Sequence, residues 1–307
     1  MKIRLAATIG VIGVLAALAF APGARAQDIK AKLEAFYSRS DAMTNDKNLD
    51  GCISLMTDDY RIILSGVDRE GTRSALQTVF STYDEIQVQS TPLEISQYGE
   101  FTRVLLNSNI RLKPANGEWT EISNYSFDYL RPEGDSFKIA RSVEVDKARM
   151  DFIKGETYGD TETPFVFTAP RGWEIIPAVY PTPPMQGAVL VMSPDLNSMA
   201  FMAYVKMPGL SVQQVAESDE AVTKILSTDS VYELYKSGPV NVGAHEGFET
   251  ESKIILPGNA DIRHRHRVYF KARGTLYVLM FDAIPFNKWD EVKEEFKSIL
   301  ASINVDD

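Results

Sequence analysis

The three histidines of this chain lie in its second half, at positions 245, 264 and 266. Residues 27–147 therefore cannot form a histidine-based catalytic triad or metal site on their own. Acid–base chemistry in that stretch would have to use carboxylates and tyrosines alone. The candidate side chains are those of Asp58, Asp59, Tyr60 and Asp128. Asp58 and Asp59 are adjacent at the end of a predicted helix, which is typical of solvated carboxylates.

Arg141 is a candidate of another kind, because the strand pattern over 136–146 places it in a row of apolar residues. Alternation puts Phe137, Ile139, Arg141, Val143 and Val145 on one face of that strand. A buried guanidinium needs a carboxylate or a ligand anion. We predict that Tyr60, Asp128 and Arg141 line a ligand pocket. A structural ion pair of Arg141, or exposure at the strand end, is the alternative.

The run Arg263-His264-Arg265-His266-Arg267 is the one dense basic segment of an acidic chain. Within a strand pattern over 262–271, the three arginines share one face and the two histidines share the other. One interpretation is an outward row of charges that protects a sheet from edge pairing. The other is a docking face for an anion or an acidic partner through Arg263, Arg265 and Arg267, strengthened where low pH charges the histidines.

Two patterns point weakly to metals. His264 and His266 could share a metal with a third donor such as His245, but two histidines at this spacing are a weak signal. Residues 46–53 match part of an EF-hand loop, yet Thr57 stands where the closing glutamate is required. We therefore expect neither a metal nor a cofactor.

Composition excludes several classes of protein. The 307 residues are 44% hydrophobic and 24% charged, which excludes disorder, and a single cysteine excludes a disulfide scaffold. The net charge of -10 argues against a nucleic-acid binder. No Walker loop, dinucleotide glycine motif or nucleophile elbow occurs.

The first 26 residues have the pattern of a secretory signal peptide. Lys2 and Arg4 precede an apolar run to Ala21, and Pro22-Gly23 and Ala24-Arg25-Ala26 follow. This predicts cleavage after Ala26 and a periplasmic or secreted mature protein. No later segment has 18 uninterrupted apolar residues, so we expect no membrane span after cleavage.

Hydrophobic periodicity predicts an α+β order in the first half. Helical spacing runs from Ile29 to Met43, in a short segment to Met56 and over 72–80. Strand patterns cover 60–64, 101–113, 119–130 and 136–146. We predict a first domain over 27–147 that combines helices with an antiparallel sheet.

A polar segment without a sustained period, 148–163, predicts a linker. The second domain is predicted over 164–305. Its strand patterns lie at 188–193, 199–206, 239–242, 246–256, 262–271 and 275–283, and its helical patterns at 211–227 and 286–302. The whole chain is thus predicted to be an α+β protein of two domains, the second an antiparallel sheet with flanking helices.

The first half resembles the nuclear transport factor 2-like (SnoaL-like) superfamily. The likeness covers 28–147 and lies in Asn48-Leu49-Asp50-Gly51, in Met56-Thr57-Asp58-Asp59-Tyr60-Arg61 and in the long strands that follow. It implies a cone whose bent sheet wraps a pocket. Members include isomerases, cyclases, dehydratases and non-enzymatic binding modules, and the resemblance also implies a possible homodimer through the open face of the sheet.

The second half resembles the PsbP/DcrB-like group. The likeness covers 163–305 and lies in Phe165-Val166-Phe167, in Pro170-Arg171-Gly172-Trp173 and in a final amphipathic helix. It implies an extracytoplasmic accessory or assembly protein.

Together these observations predict an exported, non-enzymatic accessory protein of the bacterial envelope that binds a protein partner or a small ligand. The alternative is a small-molecule isomerase, cyclase or hydrolase that uses a carboxylate and tyrosine pocket in the first domain. A pocket with a carboxylate within hydrogen-bond reach of a tyrosine favours the enzyme, and a filled cone favours the binding module.

Overall fold

Two α+β domains make up the part of the chain that the computed structural model describes. That part comprises residues 21–160, 165–179, 186–205, 209, 211–227, 231–255 and 262–305. Its α-helices are α1 (Ala21–Asn45), α2 (Leu49–Ser54), α3 (Arg69–Thr82), α4 (Val212–Leu226) and α5 (Trp289–Ser302). Residues 1–20 of the predicted signal peptide lie outside the described residues, and α1 includes its last six.

The sheet of the first domain has five strands in the order β1-β5-β4-β3-β2, and only the pair β1 and β5 is parallel. The strands are β1 (Met56–Ile62), β2 (Tyr83–Tyr98), β3 (Phe101–Pro114), β4 (Thr120–Glu133) and β5 (Ser136–Val145). The sequence patterns predicted β1, β3, β4 and β5 and missed β2. As an edge strand β2 is exposed along most of its length, so its sequence lacks a buried face and hence a clear alternation.

Helix α1 covers the inner face of this sheet. Leu33, Phe36 and Tyr37 of α1 pack on Val104, Leu106, Leu130 and Phe137, and all of them are buried. The edge-to-face contact between Phe36 and Phe137, with ring centroids 6.4 Å apart, belongs to this layer. The helix thus fills the concave side of the sheet with apolar side chains.

A β-bulge alters the predicted face of strand β5. Tyr129 pairs with Arg141 while Leu130 pairs with Ile139, so Ala140 is an extra residue. Phe137 therefore packs under α1, whereas Val143 lies on the opposite face of the sheet. The prediction of a single row from Phe137 to Val145 was wrong, because one extra residue reverses the alternation.

The sheet of the second domain has seven strands in the order β12-β13-β14-β15-β11-β10-β9. All neighbouring pairs are antiparallel. The strands are β9 (Glu174–Pro177), β10 (Gln186–Met192), β11 (Ser198–Val205), β12 (Glu233–Val242), β13 (His245–Ile254), β14 (Arg263–Ala272) and β15 (Thr275–Ala283). Helix α5 packs on one face through Val292, Phe296 and Ile299, and α4 packs on the other through Ala216.

Regular structure fills the predicted linker as far as residue 160. A 3-10 helix covers Lys147–Phe152, and β6 (Ile153–Lys154) and β7 (Thr157–Asp160) form a small sheet with β8 (Phe165–Thr168). Tyr158 stacks on Phe167 in the core of the second domain. The sequence of this segment shows no sustained period because its strands are only two to four residues long. Residues 161–164 lie outside the described residues.

The two domains pack through the faces of their sheets. From the first domain Phe101, Leu105, Phe127, Tyr129 and Val143 lie on the face opposite α1, and they contact Ile176, Leu190, Met192 and Phe201 of the second domain. The turn at Gly99 also fits closely, since a Cβ there would lie 2.2 Å from the carbonyl oxygen of Pro194. The second domain thus occupies the sheet face through which a homodimer of the first domain was expected.

Truncation of Leu190 to alanine is expected to destabilise the whole protein. Leu190 is fully buried between the domains, and such truncations cost about 2–5 kcal/mol. Because the apolar layer is shared, urea unfolding followed by circular dichroism and by tryptophan fluorescence should shift together for L190A. The exposed Leu93 provides the control, since L93A should change stability by less than about 0.5 kcal/mol. Two separate unfolding transitions in the unmodified protein would contradict a shared core.

Candidate functional site

Tyr60 and Asp128 lie together beneath α1 and α3, in the interior of the first domain. The carboxylate of Asp128 accepts hydrogen bonds from the hydroxyls of Tyr37 (3.1 Å) and Ser142 (2.6 Å). Tyr60 and Asp128 are each 5% exposed, and Tyr37 is 2% exposed. These groups form a closed set of buried hydrogen bonds.

Burial governs the protonation of this set. It raises the pKa of Asp128, and the hydrogen bonds from Ser142 and Tyr37 offset only part of that rise. Burial, with the nearby charge of Asp128, also raises the pKa of Tyr60 to about 12. Tyr60 therefore keeps its proton at neutral pH.

Arg141 does not join these two residues. Its guanidinium donates to the backbone carbonyl oxygens of Asp59 (2.6 Å) and Ala140 (2.7 Å), and lies 3.7 Å from the Asp59 carboxylate. Asp59 also pairs with Arg131 at 2.8 Å, and the neighbouring carboxylate of Asp58 is 97% exposed. Arg141 therefore belongs to a structural ion pair, the alternative that the sequence left open, and the three predicted pocket residues do not converge.

The arginines of the basic run are buried. Arg263 and Arg265 both donate to the carboxylate of Asp282, at 3.0 and 2.6 Å, and Arg267 donates to Glu220 of α4 at 3.1 Å. The faces alternate as predicted, but a packed layer covers each face of the sheet. These arginines therefore do not form an exposed docking face, because each of the three residues is at most 6% exposed.

One aromatic and two acidic contacts fix the histidines on the other face of β14. The ring of His264 stacks on Trp289 at 4.2 Å and its Nε2 lies 2.8 Å from Glu251. His266 Nε2 lies 2.9 Å from Glu249. Across the described ranges, no three His, Cys, Asp or Glu side chains are grouped so that they could hold a metal ion.

Loss of the Asp282 charge is expected to destabilise the protein strongly. Burial favours the neutral acid, but the charges and hydrogen bonds of Arg265 and Arg263 outweigh it and lower the pKa of Asp282 to about 2. The carboxylate therefore contributes stability above its ordinary pKa of 3.8, and this contribution is lost as the pH falls from there towards 2. D282N should cost about 3–5 kcal/mol at pH 7, because two arginines remain buried without a counter-charge.

Urea unfolding at pH 7 and at several values between pH 4 and 2 measures both effects. The stability of D282N should depend less on pH than that of the unmodified protein in the acid range. D58N serves as the control, because the Asp58 carboxylate is exposed and surface pairs contribute about 0–1 kcal/mol. Equal losses in D282N and D58N would contradict this account.

A cavity of about 550 Å³ lies between the two domains, and the sequence patterns did not indicate it. The first domain contributes Tyr98, Arg103 and Phe127, and the second contributes Trp173 and Glu174. Arg103 pairs with Glu174, and its guanidinium lies 4.4 Å from the centre of the Phe127 ring. The cavity thus combines aromatic walls with a buried ion pair.

Hydrogen bonds to two tyrosines of the first domain hold Glu174 in place. The hydroxyl of Tyr129 donates to its Oε2 at 2.7 Å, and its backbone N–H donates to the hydroxyl of Tyr98 at 3.0 Å. Tyr98 in turn donates to the carbonyl oxygen of Met192 at 2.5 Å. This network fixes the acid, and through it the arginine, with little freedom to move.

One buried donor of Arg103 has no acceptor. The Nε–H of Arg103 is buried and makes no hydrogen bond within the protein. An unsatisfied buried donor costs about 1–3 kcal/mol, and more when the group is charged. Because this N–H is itself buried, a ligand in the cavity would meet the aromatic rings and the other polar atoms of the lining.

The sequence did not indicate Arg103 and Glu174 as site residues, because they are far apart in the chain. Arg103 stands in a strand of the first domain and Glu174 opens the sheet of the second. Trp173 is partly buried and lines the cavity. The one available signal was a charged residue in the otherwise apolar strand 101–106.

No family model matches this chain, and no curated protein matches it. Solved structures similar to its parts come from both groups that the sequence resembles. A cyanobacterial PsbP from Synechocystis sp. is 18% identical, with 48% of this chain and 91% of that chain covered and a TM-score of 0.38. A hexachlorocyclohexane dehydrochlorinase is 14% identical, with 36% and 80% covered and a TM-score of 0.32. Aln2 from Streptomyces sp. is 11% identical, with 38% and 88% covered and a TM-score of 0.33.

The fold is α+β because helices pack on two mainly antiparallel sheets. None of the helices in the described ranges has the length and apolar character needed to cross a membrane.

Proposed function

We propose that this chain is an exported, non-enzymatic accessory protein of the bacterial envelope that holds a small ligand between its two domains. The observation that carries the proposal is the cavity of about 550 Å³ between the two domains, which is lined by aromatic rings and by the ion pair of Arg103 and Glu174. Ligand sites occur preferentially at domain interfaces, in cavities of about 300–1,000 Å³ with a few well-placed polar groups. The signal-like segment before Gln27 supports export to the periplasm or beyond.

The charges of the cavity favour a neutral ligand over an anion. Glu174 already balances Arg103, and Glu156 also lines the cavity. The rings of Phe127 and Trp173 provide flat apolar surfaces. A planar aromatic amide or ketone matches these features, because its ring can contact the aromatic walls while its carbonyl oxygen accepts from Arg103.

The competing function, catalysis with Tyr60 and Asp128, would require a substrate to reach Asp128. Its carboxylate already accepts hydrogen bonds from Tyr37 and Ser142 in a region that α1 covers. The basic run would have been the natural surface for an acidic protein partner, and its arginines are paired inside the second domain. Both facts favour a ligand in the cavity between the domains.

Replacement of Arg103 by methionine is expected to weaken the binding of a small aromatic amide, with benzamide as the probe. Loss of a hydrogen bond from a charged donor costs about 1.5–3 kcal/mol, which is a factor of about 10 or more in the dissociation constant. Quenching of tryptophan fluorescence upon titration measures the affinity. R111M is the matched control, because Arg111 lies further along β3 with its guanidinium near the Trp119 ring.

Benzamide binding that is equal in R103M and R111M would show that the cavity does not bind through Arg103. Mass spectrometry of small molecules that co-purify with the protein from an envelope extract provides the second readout. A compound that the unmodified protein retains and R103M loses would identify the natural ligand.

Export is tested by expression of the full chain in a bacterium that secretes proteins through its general export machinery. The mature protein should be found in the periplasmic fraction, and its intact mass should correspond to a chain that begins at Gln27. Arg substitutions at two positions in the apolar run, Leu15 and Leu18, should keep the uncleaved chain in the cytoplasm. Recovery of an uncleaved chain from the unmodified gene would contradict the proposed cleavage.

A further inference from the structure

A second cavity, of about 310 Å³, lies in the second domain between α5 and the strands β12 to β15. Its deep part is apolar and is formed by Val240, Phe281, Trp289, Phe296 and Leu300. Trp289 is itself fixed, because its ring stacks on His264 on one side and contacts Phe296 at 5.3 Å. The cavity therefore offers a rigid aromatic and aliphatic surface to an apolar group.

Two carboxylates line the cavity, and each has a basic partner within the protein. Glu249 lies between Lys236 (2.6 Å) and His266 (2.9 Å), and Glu251 lies 2.8 Å from His264. The hydrogen bond from His266 lowers the pKa of Glu249, and that from His264 lowers the pKa of Glu251. Lys236 therefore offsets the negative charge of Glu249 towards an incoming anion.

Two lysines at the rim are free to exchange their partners. Lys293 and Lys297 stand one turn apart on α5, and both line the cavity. Lys293 pairs with Asp290 and Lys297 with Glu294, and these carboxylates are 82% and 70% exposed. Exposed pairs of this kind contribute about 0–1 kcal/mol, so a bound anion can take their place at small cost.

We propose that this cavity binds a small amphiphilic carboxylic acid, with its apolar chain against Trp289 and its carboxylate between Lys293 and Lys297. The arrangement of an apolar interior below a rim of ammonium groups matches an apolar tail that ends in one negative charge. The lining residues include three lysines, Lys236, Lys293 and Lys297, and two glutamates, Glu249 and Glu251. The site is separate from the cavity that contains Arg103, and the inference does not depend on the function proposed for that cavity.

Isothermal titration calorimetry of the full mature chain with octanoate tests the proposal. Octanoate should bind at one site, and both acetate, which lacks the chain, and octan-1-ol, which lacks the charge, should bind at least tenfold more weakly. Increased salt should weaken the binding of octanoate, because the lysines lie at the surface. The double variant K293Q/K297Q should bind octanoate at least tenfold more weakly.

K30Q/K32Q is the matched control, because Lys30 and Lys32 form similar exposed pairs on α1. This control and R103M should both retain the octanoate affinity of the unmodified protein, while circular dichroism confirms that each variant is folded. Equal affinity for octan-1-ol and octanoate, or unchanged affinity in K293Q/K297Q, would overturn the proposal. The absence of octanoate binding to the unmodified protein would do the same.

Discussion

The buried carboxylate of Glu174 must be compensated inside the protein, and its partners belong to the other domain. Arg103 and Tyr129 both come from the sheet of the first domain, whereas Glu174 opens the sheet of the second. Apolar contact between the sheets provides most of the free energy of association, but it has little directional preference. The ion pair and the hydrogen bond have strict geometry, so they fix how the two sheets are aligned. The cavity beside Arg103 exists because this alignment is unique.

The same rule governs the other buried acids. Asp128 is satisfied by two hydroxyls, Asp282 by two arginines, and Asp160 by Arg149. Each acid thus carries its own partners, and the choice of partner sets its chemistry. Hydroxyl partners leave the pKa of Asp128 raised, whereas the arginines lower that of Asp282. Acidic residues are abundant in this chain. The buried ones, Asp128, Asp160, Glu174 and Asp282, hold neighbouring elements together through their partners.

Much of the fold could be predicted from the sequence, because long elements with one buried face leave a periodic trace. The opposite faces of Arg265 and His266 followed from alternation alone. Three features left no such trace. The edge strand β2 has no buried face, the bulge at Ala140 reverses the alternation within a regular pattern, and residues 148–160 form pieces too short for a period.

The candidate site was harder to predict for a different reason. A basic residue in a strand pattern shows which face it occupies, but not whether a carboxylate from another element neutralises it there. Asp282 and Glu220 do this for the basic run, and neither adjoins it in sequence. Arg103 and Glu174 likewise come from different domains, so their pairing depends on the packing of two sheets. Sites made by tertiary contact therefore have to be found in the structure.

The shared apolar layer between the sheets also bears on how this chain can be divided. A fragment that ends before the second domain would expose Phe101, Phe127 and Val143 to water, together with the unpaired guanidinium of Arg103. Such a patch promotes self-association. The two halves are therefore poor candidates for separate expression, and a gene that lost either half would yield an aggregation-prone product instead of a simpler working module.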